Sequence, residues 1–495
     1  MKNKIYIALM LLLGLSTSCN DWLDVKSDTE EKEEDLFSTY EGFRSALTGC
    51  YMQMGSRDIY GEKLTMTDIE SLANLWNQTS ASSGLSTNYY LQRHNYEADD
   101  AVTSFKTMYG GLFNVITQAN VLLKHIEEDG DVIKDGVVRG VIEGEAYALR
   151  AYCQFDILRL FGQVPVGGTT TVDLPYSYIT SLDEMPSYYS FDEYVKNLKV
   201  DITKAEELLK ANDPLSTGND TDDDFLENRT FRLNYWAVVA LHARMALYLG
   251  EKTEAYNLAM SIINAKDEDG EPRFKLSGST DLAKGVNRYA LPGEGLFKLS
   301  KYDLKDYTVN LLIGETSSSE SSNYGSGYYY MVGASKYNTL FRGVNTASDN
   351  RYRAVWNKNI TDNFGMPYWA IKKYWYEDDA DNAIYYNKFI PMLRMSEIYL
   401  IATETAPTLA ESNSLYITYQ RSHDVLLTED PFADEAALKD GLLAEYRREF
   451  FAEGQMFFMY KRLNSATILW RPLTGGKATE ADYLLPLPNT EYNPD

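Results

Sequence analysis

Gly144–Val166 reads GEAYALRAYCQFDILRLFGQVPV. Ala146, Leu149, Cys153, Ile157 and Leu160 recur at helical spacing, and Tyr147, Phe155 and Leu158 add a second apolar stripe. A helix that is apolar on two sides must be covered on both, so this one belongs inside an array of helices. Arg150, Asp156 and Arg159 interrupt that surface. A guanidinium held there needs a carboxylate partner, because an unpaired buried charge costs several kcal/mol. Gly162 then breaks the helix and Pro165 marks the exit.

Working outward from this stretch, the spacing of apolar residues predicts helices over 35–54, 101–127, 137–161, 191–211, 231–249 and 252–265. Later helices are expected over 391–403, 409–421 and 434–452. Ala243 and Ala255 lie on either side of the Leu249-Gly250 turn, as small residues do where paired helices pack closely, although no strict 34-residue period exists. Between the helices, 56–100, 169–190, 213–229 and 266–387 show no convincing periodicity. Loops of that length in a compact protein usually carry function or lack order. Asp213–Asn228 is acidic and reads as a solvated loop, and Ser317–Ser326 is low-complexity Ser/Asn/Gly. Asn74–Tyr96 and Tyr328–Tyr376 instead mix Trp, Tyr, Asn and Arg, as ligand-contacting loops do.

The 495 residues include 39 tyrosines, more than core packing asks for, so part of the excess belongs on the surface. Net charge is −25, and −27 once the two lysines of the first 18 residues are removed. Such acidity argues against nucleic acid and against broad contact with anionic lipid, so any membrane attachment should be a covalent tether. Lys2 and Lys4 precede the apolar run Ile5–Leu15, too short to span a bilayer, and residues 1–18 read as a secretory signal. Ser16-Thr17-Ser18-Cys19 has the small residues of a lipoprotein cleavage site, with Leu15 one place further back than usual, making Cys19 the expected lipidation site. Residues 19–34 are polar and acidic and suit a tether, leaving 35–495 as one domain with parts near 35–330 and 331–495. Cys50 and Cys153 sit among apolar neighbours and read as buried thiols; compartment would also permit a disulfide between them.

The central stretch resembles the RagB/SusD family of outer-membrane nutrient-binding lipoproteins, whose hallmark is a Leu-Arg-Ala-Tyr helix running into Leu-Phe-Gly-x-Val-Pro. Further segments agree in order: CNDWLDV at Cys19–Val25, the helix at Asp35–Tyr51, IPMLRMSEIYLIATE at Ile390–Glu404, EYRREFFAEGQMFFMYKR at Glu445–Arg462, and LPLPNTEYNP at Leu485–Pro494. The resemblance implies a mostly α fold: a right-handed tetratricopeptide-like scaffold of four helix pairs with long irregular loops laid over it. Arg447, Arg448 and Glu449 match the family's Arg-Arg-x-Glu pattern and read as structural ion pairs. Met459 and Leu463 depart from it, standing where the family commonly has Asp and Trp, so packing at this end should differ.

Catalytic patterns are scarce. The four histidines form no HExxH and no cluster at metal-ligand spacing, and no GxSxG, GxGxxG or phosphate-loop pattern stands out. Asp267–Glu271 has the acidic start of a calcium loop but lacks its later ligands, and reads as a plain turn. Nothing singles out a glycosidase carboxylate pair. No cofactor, metal or catalytic residue is therefore expected, and the chain reads as a binding protein rather than an enzyme.

A sugar-binding surface needs aromatic rings flanked by amides, carboxylates and guanidinium groups. Asp68–Tyr96 has that mixture: Trp76 beside Asn74, Asn77 and Gln78, then Tyr89 and Tyr90, with Asp68 serving equally well as a helix cap. The resemblance implies a Trp and polar partners from this region in the ligand site. Tyr329, within Tyr328-Tyr329-Tyr330, and Arg351, in a segment similar to one near the family's site, complete the candidates. The resemblance further implies a lipid-anchored protein at the outer-membrane surface that captures an oligosaccharide and acts as the lid of a SusC-like TonB-dependent transporter. An oligopeptide cargo, a non-catalytic scaffold for other surface lipoproteins, and a hydrolase are the rival readings.

Overall fold

The computed structural model describes residues 28–78, 86–181, 184–218, 223–282, 293–308, 311–312, 330–361, 367–374 and 388–488. Ten helices carry the architecture: α1 Tyr40–Met54, α2 Asp99–Asp129, α3 Gly136–Phe161, α4 Phe191–Asn212, α5 Tyr235–Leu249, α6 Lys252–Ile263, α7 Met395–Thr405, α8 Leu409–Ser422, α9 Glu435–Glu449 and α10 Met456–Arg462. Successive helices pack in pairs, α1 on α2, α3 on α4, α5 on α6 and α7 on α8, giving a mostly α, tetratricopeptide-like fold. Strands are few. β1 Gly295–Ser300 pairs antiparallel with β5 Phe389–Arg394, and a second sheet runs β2 Val332–Gly333, β4 Pro367–Ile371, β3 Trp356–Thr361.

Helix α3 sits where its two apolar stripes require. Asp135 caps it by accepting from the Val137 and Val138 amides at 2.8 and 3.4 Å, and every residue from Ala148 to Phe161 is buried. Gly144 lets α4 approach: a Cβ there would lie 2.8 Å from Leu209 Cγ. The helix ends at Gly162, whose amide donates to Leu158 O at 3.0 Å. Buried Lys461 caps that end by donating to the carbonyls of Leu160 and Gly162 at 3.0 and 2.7 Å.

The charges inside the scaffold are paired as their burial demands. Arg150 donates bidentately to Asp201 of α4, both bonds 2.7 Å, and to Asn120 of α2 at 2.9 Å, so one guanidinium ties three helices. Arg244 of α5 does the same for α7, donating to both Glu397 oxygens at 2.6 Å and to Met392 O at 2.7 Å.

Several expected boundaries move, among them the start of the helix expected over 35–54, which begins at Tyr40 after Thr39 caps it by accepting from the Gly42 amide at 3.2 Å. The predicted helix at 391–403 begins only at Met395, because Phe389–Arg394 is strand β5; a short apolar run is ambiguous until a pairing partner, here β1, is in place. The helix expected at 434–452 stops at Glu449, since Ala452 and Gly454 adopt positive φ (62° and 74°) and α10 restarts beyond them. There Glu70 accepts from the Ala452 and Gly454 amides at 3.2 and 2.8 Å. The helix expected from 231 starts at Tyr235, where Asn234 accepts from the Ala237 amide at 3.0 Å. The tether expected over 19–34 is helical from Asp28, in the helix Asp28–Phe37, where Glu33 meets His125 Nε2 at 2.9 Å and Phe37 stacks on the same imidazole at 4.1 Å.

Replacing Arg150 with alanine leaves Asp201, about 1% exposed, without its countercharge. The expected loss is about 3–5 kcal/mol of unfolding free energy, measured by urea denaturation. A loss below about 1 kcal/mol would show that α2, α3 and α4 do not depend on this pair.

Candidate functional site

The turn after the short helix Asp68–Leu72 is the structural root of the candidate surface. Asn74 takes φ 59°, which an asparagine tolerates better than most residues, and folds the chain so that Trp76 points inward. The Trp76 ring is wholly buried, meets Phe451 and Tyr330 edge-on at 4.8 and 5.6 Å, and donates from Nε1 to Met66 O at 2.8 Å. Trp76 therefore does not face a ligand; a large ring with one polar edge is satisfied here by core contact and a backbone acceptor. Asp68 is buried as well, accepting from the Ser104 and Thr67 hydroxyls, and burial raises its pKa. Asn74 is buried too, its backbone carbonyl accepting from Lys336 Nζ at 2.7 Å.

Arg351 likewise leaves the ligand-contacting set. It is about 1% exposed and donates to Asp349 at 2.8 Å, to Glu449 at 3.0 Å and to Glu445. Glu449 also accepts from Arg394 at 2.6 Å, and Arg394 from its Nε reaches Glu453 at 2.7 Å. Burial alone would raise both Glu445 and Glu449, but Arg351 and Arg448 hold Glu445 well below the carboxylate range, as Arg394 and His423 do for Glu449. His423, Glu445 and Glu449 lie close enough to bracket a cation. Guanidinium groups already engage both carboxylates, so the cluster is an ion-pair network.

The remaining candidates do reach the surface. Asn77 is half-buried and pins β2: its amide donates to Met331 O at 3.1 Å and its Oδ1 accepts from the Gly333 amide at 2.8 Å. Gln92 donates to Asn77 O at 2.7 Å, which docks the short helix Ser86–Gln92 beside the turn. On that helix Tyr89 and Tyr90 are half-buried, edge-on at 5.2 Å, and Arg93 lies over the Tyr89 ring at 3.6 Å. Tyr329 and Cys19 lie outside the described residues.

Three residues join this surface without having been expected: Arg93, Lys336 and Trp470. Trp470 is half-buried with φ 67°, its carbonyl accepts from the exposed Gln78 side chain at 3.2 Å, and Lys336 Nζ sits 5.0 Å from its ring. Burial lowers the Lys336 ammonium to about 7. The Trp470 strap is held by Arg471, which donates to both Asp482 oxygens at 2.9 and 2.5 Å, and Asp482 in turn lies 3.4 Å from His94 Nδ1. The available signal was a Trp in a loop rich in Pro and Gly, Trp470-Arg471-Pro472 to Gly475-Gly476. Two neighbouring half-buried ring groups result: Trp470 with Gln78 and with Lys336, whose ammonium donates to the carbonyls of Asn74, Leu75 and Trp76, and Tyr89 and Tyr90 with Arg93 on the helix that Gln92 docks beside the turn.

Known proteins match this chain along most of its length. A SusD-like family model described as starch-binding and associating with the outer membrane matches residues 21–247. SusD-like protein P2 of Formosa agariphila is 23% identical, the alignment covering 99% of this chain and 97% of that protein. A SusD superfamily structure from Bacteroides thetaiotaomicron superposes with TM-score 0.71 at 20% identity, covering 92% of this chain and 98% of that one. Surface glycan-binding protein A from Bacteroides uniformis superposes with TM-score 0.68 at 18% identity, with the same two coverages.

Two expectations follow from the site geometry. Trp76→Ala should cost about 3–5 kcal/mol of stability because it empties a filled core position, whereas Tyr89→Ala should stay within about 1 kcal/mol; equal losses in thermal melts would contradict the placement of the two rings. Glu445 and Glu449 have folded pKa values below their unfolded value of about 4.3, so in acid the unfolded chain binds more protons. Their contribution is complete above about pH 5 and is lost as pH falls through the folded values. Melting temperature should drop steeply from about pH 5 to pH 3, and Glu445→Gln should flatten that slope while lowering stability at pH 7; parallel profiles would contradict it.

Proposed function

We propose that this chain, similar to SusD-like proteins, is a cell-surface binding protein that captures an oligosaccharide and hands it to a SusC-like TonB-dependent transporter in the outer membrane. The observation that carries this reading is two neighbouring groups of half-buried rings, Tyr89 and Tyr90 with Arg93 and Trp470 with Gln78 and Lys336, where rings adjoin amide and basic side chains. Pyranose faces stack on such rings and their hydroxyls accept and donate at such rims, while no covalent chemistry is called for. The description of the matching family as starch-binding and the glycan-binding name of one structural relative point the same way. Among the described residues no helix is long and apolar enough to cross a membrane, and a lipid on Cys19 would supply the attachment. Residues 35–495 act in this reading as one body, with the helix pairs as the scaffold and the Tyr89–Trp470 surface as the capture face.

Calorimetry of the protein lacking residues 1–19 against a panel of polysaccharides and peptide mixtures tests the reading. One glycan should bind, and Tyr89→Ala and Trp470→Ala should each weaken it about tenfold or more, equivalent to about 1.4 kcal/mol, without loss of fold. Binding of peptides alone would replace the cargo, and glycan binding indifferent to both substitutions would move the capture face elsewhere.

A further inference from the structure

Lys336 stands between the 74–76 turn and the Trp470 strap. It lies on the short helix Ala334–Leu340, which is held at both ends: Asn77 accepts from the Gly333 amide at 2.8 Å just before it, and Arg448 donates to Leu340 O at 2.8 Å where it finishes. Between them Tyr337 is buried, its ring stacked on Trp369 at 4.9 Å. Lys336 itself is half-buried, with its ammonium turned inward. Nζ donates to Asn74 O at 2.7 Å, to Leu75 O at 3.4 Å and to Trp76 O, three successive carbonyls of buried residues. Among the described residues no backbone amide donates to any of the three. Lys336 therefore supplies donors that the fold of this turn leaves wanting.

On its other side the ammonium lies 5.0 Å from the centroid of the Trp470 ring, within range of attraction to a ring face. Trp470 sits at φ 67°, a backbone region costly for a residue other than glycine, so its place in the strap depends on such anchors. Among the described residues no carboxylate balances the ammonium. The turn 74–78 and the helix 334–340 contain no acid; on the strap Arg471 is paired with Asp482, which faces His94, and Arg93 lies over Tyr89. In the charged form three N–H groups meet three carbonyls, donor for acceptor. The neutral amine has only two N–H groups and a lone pair, so one buried carbonyl loses its donor and the ring loses its cation. Burial without a countercharge lowers the group to about 7, and both forms are populated at neutral pH.

We infer that Lys336 is a positioning residue of the capture face: its charged form fastens Trp470 to the 74–76 turn, and loss of its proton slackens that hold, so that capture weakens as the medium turns alkaline. The consequence for capture rests on the oligosaccharide reading, whereas the hold on Trp470 does not. His94 is the other titratable group joined to the strap, through Asp482 and Arg471.

Fluorine NMR of the protein labelled with 5-fluorotryptophan tests it. The chain has 7 tryptophans, and Trp470→Phe identifies the Trp470 resonance by its loss. That resonance should follow a one-proton curve centred at about pH 7. Lys336→Met should hold it near its alkaline position at every pH, and Lys336→Arg, charged throughout, near its acid position. If Lys336→Met does not fold, Lys336→Arg carries the test, since it too must abolish the titration. Affinity for the glycan found by calorimetry should fall about two- to tenfold between about pH 6 and pH 8 and lose that dependence in either variant. A Trp470 resonance that does not titrate in the native chain would overturn the assignment, and a titration that survives the Lys336 variants would overturn it in favour of His94. A pH-independent affinity beside a titrating Trp470 would overturn the link to capture. Failure of every glycan to bind would remove the oligosaccharide reading and leave the hold on Trp470 to be decided by the resonance.

Discussion

Buried guanidinium–carboxylate pairing is the constraint on which the rest of this structure depends. Arg150, Arg244, Arg351 and Arg394 are nearly inaccessible, and each is matched by carboxylates from another part of the chain. Arg244 and Glu397 are 153 residues apart, and Arg351 and Glu445 are 94 apart. Desolvating such ions costs several kcal/mol each, and only near-ideal geometry offsets it. A shifted helix or a slipped register would leave a charge unpaired, so the pairs act less as a source of net stability than as a penalty on every alternative arrangement.

That constraint also explains how irregular segments come to be held in place. The Arg351 network anchors the helix Asn350–Ala354, β5 and α9 to one another, and Glu70 fixes the reversal between α9 and α10 through two backbone amides. Trp76, wedged between Phe451 and Tyr330, fastens the 74–78 turn to the same region. With these anchors set, Gln78, Lys336 and Trp470, drawn from three distant stretches of the chain, come together, and Gln92 docks the helix that carries Tyr89 beside Asn77. The rings that hold the loops are therefore different from the rings that the loops display.

The sequence by itself determined the helical array. Apolar spacing in 144–161 required cover on two sides, and α3 is buried accordingly; the demand that Arg150 find a carboxylate was legible before the identity of Asp201 was. The boundaries that moved were those where local pattern is degenerate, such as FIPMLR, an apolar run whose strand form exists only because β1 lies alongside it. Only the tertiary structure decided which aromatic residues are displayed. Trp76 and Tyr89 stand 13 positions apart in similarly mixed surroundings, yet one is core and the other surface, because the positive φ of Asn74 turns Trp76 onto Phe451. Period and composition constrain how much surface a segment must bury, whereas which side chain is buried in an aperiodic loop is set by partners hundreds of residues away.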